Sequence, residues 1–502
     1  MTAFLSVAWL GAQSGALGKV DFPTSGSAQA QKRFIEGVLY LHSFEFDDAR
    51  EEFQKARELD PEFAMAYWGE AVTHNHPLWR SVDVEAARQA LNRLAPTAEQ
   101  RLAKAPTQRE KDFLASLEKL YGPGTKSERD LAYHDALQEM YKKYPGDHEV
   151  ASLYALSFLG LSNGSRDFRN YMRAASIAEE VFAENPRHPG AVHYLIHSYD
   201  DPIHAPLGLR AARVYNKIAP DASHAQHMIS HIFVALGQWD ESSTANEKAW
   251  AVSQARVKRK KLGINQLDFH SFFWLHYSYL QQGRYRQARA MLQTVEEARE
   301  EAEGRRLGTY HGRMRAQQVI ETQGRLTNLP PSGGSFHDHF GDALDALYGG
   351  RASQAESLLG KMAPENPAAQ VVKKELQGLI LLSKGSQQIA LGLLREAAAG
   401  EDEMPLSFGP PMPSKPSHEL LGEVLLRLGR PAEAQLEFEA ALRRAPRRAL
   451  SLLGLARSAR QAGDLETAAE AEATLREVWK KADPEVLELL EGLKGVPSGG
   501  TR

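Results

Sequence analysis

The strongest constraint on the fold is a pattern of small and aromatic residues that recurs with a fixed spacing. Near the C-terminus the pattern comprises Gly422, Gly429, Ala434, Phe438, Ala441 and Pro446. The next turn glycine, Gly463, follows Gly429 by 463 − 429 = 34 residues. Small residues let two antiparallel helices approach closely, and proline ends the second helix of a pair. The recurrence predicts helix pairs that stack on one another.

The same pattern occurs near the N-terminus, at Gly37, Tyr40, Ala49, Phe53, Ala56 and Pro61. Further turn glycines lie at Gly237, Gly283, Gly350 and Gly385. These residues resemble the tetratricopeptide repeat (TPR), whose unit is a helix–turn–helix of about 34 residues. The resemblance implies an all-α fold, an α-α superhelix in the form of a TPR-like solenoid of antiparallel helix pairs.

The regularity of the pattern varies along the chain and divides it into eight segments. Residues 401–417 are rich in proline and glycine, which indicates a long loop between helix pairs. The predicted segments are 1–16, a remnant of an export signal; 17–82, N-terminal TPR-like pairs; 83–185, degenerate helical repeats; 186–325, histidine-rich pairs; 326–398, TPR pairs; 399–416, the Pro/Gly-rich loop; 417–490, C-terminal TPR pairs; and 491–502, a disordered tail.

Composition excludes several kinds of site. The chain has no cysteine, which excludes disulfides, thiolate metal sites and cysteine nucleophiles. Its formal net charge of −4 lacks the basic excess of a nucleic-acid-binding surface, so no nucleic-acid partner is expected. Residues 160–164 spell G-x-S-x-G, but the preceding segment has a helical pattern, and a nucleophile elbow needs a strand there.

The N-terminal residues bear on the location of the protein. Residues 4–12 form a short apolar run followed by Gln13, Ser14 and Gly15, with no lysine or arginine before it. Such a run is typical of a secretory signal. It predicts a periplasmic or secreted protein, with a cytoplasmic location as the alternative. No apolar stretch is long enough to predict a membrane span.

Histidines cluster on the helices predicted for the middle of the chain. Residues four apart lie on one helical face, as in the pairs His193/His197 and His227/His231. Imidazoles from two neighbouring helices can bind one ion, and a nitrogen-rich ligand set suits Cu, Zn or Fe. We therefore predict a transition-metal site formed by His193, His197, His224, His227, His231 and His270.

The same helical register predicts a wider ligand-binding stripe. Each residue turns an α-helix by about 100°, so positions −6, −3, +1 and +5 from the residue that packs on the partner helix share one side. In TPR proteins this side lines the inner, ligand-binding concavity. The resemblance therefore implies groove positions at His42, His76, Trp68, Asp201, His337, Glu419 and Glu423. For Trp68 the hydrophobic core is favoured over the groove.

Several segments are similar to a family of bacterial, apparently exported TPR proteins. These segments are 17–25, 41–44, 64–69, 73–79, 193–197 and 224–237. The resemblance covers most of residues 17–290. It implies export and the solenoid fold, and it implies no catalytic residue.

These observations predict an exported TPR-solenoid binding or scaffold protein with a histidine-lined transition-metal site in its groove. Its ligand would be a peptide, a protein or a small molecule. One alternative is a TPR-fold metalloenzyme, an oxidase, oxygenase or hydrolase, that uses the same histidines. A zincin peptidase is not supported because neither histidine pair has the H-E-x-x-H sequence. The other alternative is a metal-free protein-interaction scaffold.

Overall fold

The computed structural model of the chain describes residues 17–162, 166–301, 305–325, 329 and 332–494. The predicted export-signal remnant and most of the predicted disordered tail lie outside these residues. The chain forms two compact units. Unit 1 comprises residues 1–154, 177–193 and 214–225, and unit 2 comprises residues 155–176, 194–213 and 226–502.

Unit 1 contains seven complete helices and a short β-hairpin among its described residues. The helices are α1 (Ala28–His42), α2 (Phe46–Leu59), α3 (Ala64–Val72), α4 (Val84–Leu94), α5 (Ala98–Lys104), α6 (Gln108–Leu120) and α7 (Lys126–Lys143). The hairpin strands, β1 (Asn75–His76) and β2 (Ser81–Val82), pair antiparallel with Asn75 opposite Val82. A 3₁₀ turn, Pro77–Trp79, joins them.

Five helices in the middle of the chain are divided between the two units. They are α8 (His148–Gly160), α9 (Phe168–Glu184), α10 (Pro189–Tyr199), α11 (Ala205–Ile218) and α12 (Ser223–Ala235). Because α8 ends at Gly160, the G-x-S-x-G sequence begins at a helix end, as the sequence predicted.

Unit 2 contains thirteen further helices among its described residues. They are α13 (Trp239–Lys260), α14 (Phe269–Gln281), α15 (Tyr285–Glu301), α16 (Arg305–Thr322), α17 (Phe336–Tyr348), α18 (Ala352–Leu359), α19 (Pro367–Ser383), α20 (Gln387–Asp402), α21 (Ser417–Arg427), α22 (Pro431–Arg444), α23 (Ala449–Ala462), α24 (Leu465–Val478) and α25 (Pro484–Lys494). A 3₁₀ turn, Ile264–Gln266, precedes α14. Successive helices pack as pairs, which confirms the predicted all-α class with solenoid-type helix pairs.

The recurring glycines and phenylalanines of the sequence pattern meet inside the helix pairs. The ring of Phe438 lies against Gly422, where an added Cβ would be 3.0 Å from Cζ, and a Cβ at Gly454 would overlap the same ring. The turns between helices use left-handed backbone, with φ of 74° at Gly429 and 89° at Gly463. Glycine adopts this conformation without a steric penalty, which explains its recurrence at the turn.

Two element boundaries differ from those that the sequence predicted. Helix α20 continues to Asp402, so the Pro/Gly-rich loop begins at residue 403 instead of 399. Helix α25 continues to Lys494, which removes residues 491–494 from the predicted tail. Within the described residues, no helix combines the length and the apolar character needed to cross a membrane.

Candidate metal centre

Three of the six predicted histidine ligands converge in unit 2. His227 and His231 lie one turn apart on α12, and His270 is in the first turn of α14. One nitrogen of each ring lies within 4.8 Å of the others. His227 and His231 are buried, and His270 is half-buried. The spacing of four residues on one helix produces this convergence, as the sequence predicted.

The hydrogen bonds of His227 and His231 fix their tautomers. Nδ1 of His231 lies 2.9 Å from Oδ2 of Asp200, and Nδ1 of His227 lies 2.7 Å from Oδ1 of Asn246. The Asn246 amide nitrogen donates to the carbonyl oxygen of Ser242 at 2.9 Å, which turns the amide oxygen toward His227. Since both partners accept hydrogen bonds, each Nδ1 carries the proton and donates it. Each Nε2 therefore has a lone pair.

These two lone pairs face each other. Nε2 of His231 lies 3.2 Å from Nε2 of His227. Burial lowers the pKa of His231 to about 3, against the opposing effect of Asp200, and burial also lowers the pKa of His227. Both rings are therefore neutral near pH 7. Two ligand nitrogens at the 2.0–2.1 Å distances of a tetrahedral Zn²⁺ site lie about 3.3 Å apart. The observed separation fits an ion between the rings.

The buried carboxylate of Asp200, which accepts the hydrogen bond from Nδ1 of His231, has further partners. Oδ1 of Asp200 accepts a hydrogen bond from Nη1 of Arg166 at 2.8 Å, and Oδ2 lies 3.6 Å from Nδ1 of His197. Burial opposes ionisation of this carboxyl group, but Arg166 and the two histidines outweigh it and hold the pKa of Asp200 below its usual range. A carboxylate that holds Nδ1 of a ligand histidine orients the ring and raises its basicity.

The ring of Trp274 and the Pro/Gly-rich loop pack beside this group of histidines. The ring of Trp274 lies 4.3 Å from that of His231 and 4.9 Å from that of His227 between centroids. A Cβ at Gly409 would overlap the Trp274 ring, and the Arg166 guanidinium lies 3.9 Å from the Phe408 ring centroid. The loop thus packs on the residues that hold the histidines.

The other three predicted ligands have different surroundings. His197 lies beside Asp200 in unit 2. His197, Asp200 and His231 each offer one possible ligand atom, and these three atoms lie within 4.8 Å of one another. His193 and His224 belong to unit 1, where their rings are 5.1 Å apart. Nδ1 of His193 donates to the carbonyl oxygen of His42 at 2.7 Å.

Four of the seven predicted groove residues are buried. Trp68 is 1% exposed and packs on Phe22 and Phe113, in agreement with the core position favoured from the sequence. His42 is buried, and its Nε2 lies 2.8 Å from Oε2 of Glu149. The other two buried residues are Asp201 and Glu419.

The remaining groove positions are partly exposed, and one has a different secondary structure. Helix α3 ends at Val72, so His76 lies in strand β1 and stacks on Phe46 with ring centroids 4.0 Å apart. The predicted helical position of His76 is therefore wrong. His337 is half-buried on α17, and Glu423 is half-buried on α21.

Asp201 also differs from its predicted helical position. It lies beyond the end of α10 at Tyr199, and its Oδ1 accepts hydrogen bonds from the backbone N–H groups of Ile203 and His204. The carboxylate therefore stabilises the turn before α11.

A second cluster of buried titratable side chains, in unit 1, was not predicted from the sequence. Oε1 of Glu149 lies 3.0 Å from Nε2 of His188, while Oε2 contacts His42. Burial opposes ionisation of Glu149, but the two histidines hold its pKa below its usual range. Hydrogen bonds account for these contacts without an ion. His188 and Glu149 lie at the starts of different helices, so no periodicity links them.

Glu419 belongs to a buried ionic network in unit 2. It accepts hydrogen bonds from Nζ of Lys415 at 2.8 Å and from Nε of Arg448 at 2.7 Å, and Lys415 also donates to Glu423 at 2.7 Å. Glu375 lies nearby, with Oε1 2.5 Å from Oγ of Ser417. Burial raises the pKa of Glu375 well above its usual range.

The raised pKa of Glu375 predicts a pH dependence of stability. The folded chain retains a proton that the unfolded chain releases above the ordinary pKa near 4.5. Stability from this group is therefore complete below that pH and falls as pH rises toward the raised pKa. We expect Glu375→Gln to reduce the loss of stability between pH 5 and pH 7, measured by urea unfolding. Glu356→Gln, at an exposed salt bridge with Lys384, is the control. Equal pH slopes for wild type and Glu375→Gln would contradict the assignment.

Residues 420–484 match the family model of the tetratricopeptide repeat. The predicted TPR relationship is thereby confirmed, and the matched region contains most of α21 and the whole of α22, α23 and α24. No curated protein matches the chain at a significant level.

Among solved structures, similar chains include three helical-repeat proteins. The Cut9–Hcn1 hetero-tetramer of APC/C matches with 11% identity, 94% of this chain, 78% of that chain and a TM-score of 0.32. The human IFIT1 dimer with m7Gppp-AAAA matches with 15% identity and a TM-score of 0.37, and the match covers 94% of this chain and 90% of that chain. Yeast Tom70 matches with 13% identity, 93% and 92% coverage and a TM-score of 0.32. At these values no function is transferred from them.

Proposed function

We propose that this chain is a TPR-type binding or scaffold protein that holds a transition-metal ion at His227, His231 and His270. The observation that carries the metal proposal is the pair of Nε2 atoms 3.2 Å apart, each with its lone pair directed by a hydrogen bond at Nδ1. With the ring protons on both Nδ1 atoms, the two Nε2 lone pairs repel each other, and a cation between them would relieve this repulsion. A bound ion would satisfy both, and His270 would supply the third ligand.

The donor set indicates the class of metal. Three neutral imidazoles suit Zn, Cu or Fe, and the chain has no cysteine to provide a thiolate. Three protein ligands leave a coordination position open for water or substrate. This open position supports the metalloenzyme as the second candidate function, while the TPR region supports binding of a protein or peptide partner. Export to the periplasm or outside the cell remains part of the proposal, on the strength of residues 4–12.

Metal analysis of the untagged protein tests the proposal. We expect wild type to retain about one ion after dialysis when Zn, Cu or Fe is offered separately. His231→Ala and His227→Ala should each lower metal affinity by at least tenfold, because each removes a ligand. Asp200→Asn should lower it by about 10–100-fold, because the carboxylate supports His231.

The matched control is His148→Ala, which removes a histidine of unit 1 that pairs with Glu184 at 2.8 Å. This variant should bind metal like wild type. Wild type that binds none of the three metals, or His231→Ala with unchanged affinity, would refute the site and leave the metal-free scaffold. A bound ion with an exchangeable water, detected by its displacement by azide, would favour the enzyme.

A further inference from the structure

A separate cavity of about 400 Å³ lies among the helices of the C-terminal half of unit 2. Its walls come from the end of α16, the end of α17 and the helices α21, α22 and α23. Its volume lies within the range of pockets that bind small ligands or short peptide segments. The residues that carry its chemistry are Arg325, Arg427, Arg457, Leu426, Leu450 and Leu453.

The cavity is lined by more cationic than anionic side chains. Arg325, Arg427 and Arg457 line it, and none forms an ion pair with a residue that the structure describes. The carboxylate in the lining, Glu423, is already paired with the buried Lys415 at 2.7 Å. The cavity therefore presents positive charge without a counter-ion from the described part of the chain.

The position of Arg457 adds to this imbalance. It is half-buried, and burial together with the positive charge of Arg325 lowers its pKa, while Glu423 opposes the shift. A guanidinium group that is withdrawn from water beside a second cation is stabilised by a bound anion. Guanidinium groups pair with carboxylates through two parallel hydrogen bonds, which makes arginine effective for this recognition.

Aliphatic side chains form another part of the lining. Leu450, Leu453 and Arg457 lie at intervals of three, four and seven residues on α23, so they share one helical face. Leu426 precedes Arg427 on α21. Aliphatic side chains thus lie directly beside the arginines. A ligand that fills the cavity must combine negative charge with aliphatic groups.

We propose that this cavity binds an acidic peptide segment in which carboxylate side chains alternate with leucine-like side chains. The carboxylates would contact Arg325, Arg427 and Arg457, and the aliphatic side chains would contact the leucines. A nucleic-acid strand fits less well, because the chain has a net charge of −4 and Glu423 places a carboxylate in the lining. The inference rests on the proposed peptide-binding role of the repeat and is independent of the metal site.

A labelled hexapeptide of alternating leucine and glutamate, acetylated and amidated at its ends, tests the proposal by fluorescence anisotropy. Wild type should bind it, and Arg427→Ala/Arg457→Ala should bind at least tenfold more weakly. Arg427→Ala alone, at an exposed position, should give a smaller loss and guards against misfolding of the double variant. Arg395→Ala, which removes an exposed arginine paired with Glu433, is the control and should bind like wild type.

Two further comparisons test whether binding depends on the carboxylates of the peptide. A peptide with glutamine in place of glutamate should bind at least tenfold more weakly, and added salt should weaken binding of the glutamate peptide. Equal binding by wild type and both arginine variants would overturn the proposal, as would tighter binding of a six-nucleotide single-stranded RNA. Metal content of the same variants should equal that of wild type, so failure of this cavity and failure of the metal centre are distinguished.

Discussion

Replacement of Arg448 by methionine is expected to lower the free energy of unfolding by about 3–5 kcal/mol, because it leaves buried charge without a partner. Arg448 is fully buried in unit 2. Its Nη2 lies 2.6 Å from Oε1 of Glu321, and its Nε donates to Oε2 of Glu419 at 2.7 Å. Nη1 also donates to the hydroxyl of Tyr277 at 3.0 Å. Methionine keeps the bulk of the side chain but supplies none of these donors.

Urea unfolding followed by circular dichroism measures this effect. Arg447→Ala is the neighbouring control, because Arg447 pairs at 2.7 Å with Glu477, which is largely exposed. Exposed pairs of this kind contribute about 0–1 kcal/mol. Part of the loss in Arg448→Met should be recovered at low pH, where protonation of Glu321 removes the charge that Arg448 no longer neutralises, while Glu419 keeps its pairing with Lys415. A loss below about 1 kcal/mol would show that the network does not depend on Arg448.

Replacement of Phe53 by alanine is expected to cost about 3–5 kcal/mol, as for other large buried side chains. Phe53 has no exposed surface and fills the space between Gly37 and Gly69. An added Cβ at Gly37 would lie 2.7 Å from Cε1 of Phe53, so α1 and α2 are as close together as the ring allows. Leu59→Ala is the control on the same helix, because Leu59 is 47% exposed. It should change the free energy of unfolding by about 0.5 kcal/mol or less.

Gly69→Ala provides a sharper test of this packing. A Cβ at Gly69 would overlap the Phe53 ring, so the single substitution should destabilise wild type by about 1–3 kcal/mol. In the Phe53→Ala background the ring is absent, and the same substitution should stabilise the chain by up to about 1 kcal/mol through higher helix propensity. The sign of the effect should therefore reverse. Destabilisation of the same size in both backgrounds would contradict the proposed interlock.

The parts of the fold that depend on local spacing were predictable from the sequence. The small residues around Phe53 and Phe438 indicated helix pairs, and the structure places glycines against both rings. The spacing of His227 and His231 indicated one shared helical face, and their rings lie with centroids 5.0 Å apart. Helix periodicity sets both features, so contacts within a helix or between adjacent helices follow from short stretches of sequence.

The helical register was less informative about exposure. It assigned Trp68, His42 and Glu419 to a ligand-binding surface, yet all three are buried. Register determines the side of a helix that a residue occupies, but a further helix packed on that side removes it from solvent. For His76 the register itself did not apply, because α3 ends four residues earlier, at Val72.

The sequence by itself determined the helix pairs, the absence of thiol chemistry and the histidine pair on α12. Only the tertiary structure decided which residues act on those histidines. Asp200, Asn246 and Arg166 come from segments 15 to 65 residues away from His231, as 246 − 231 = 15 and 231 − 166 = 65 show. Their hydrogen bonds select the tautomers and direct the two Nε2 lone pairs toward each other. Contacts between distant segments depend on how helices pack, and no local spacing encodes them.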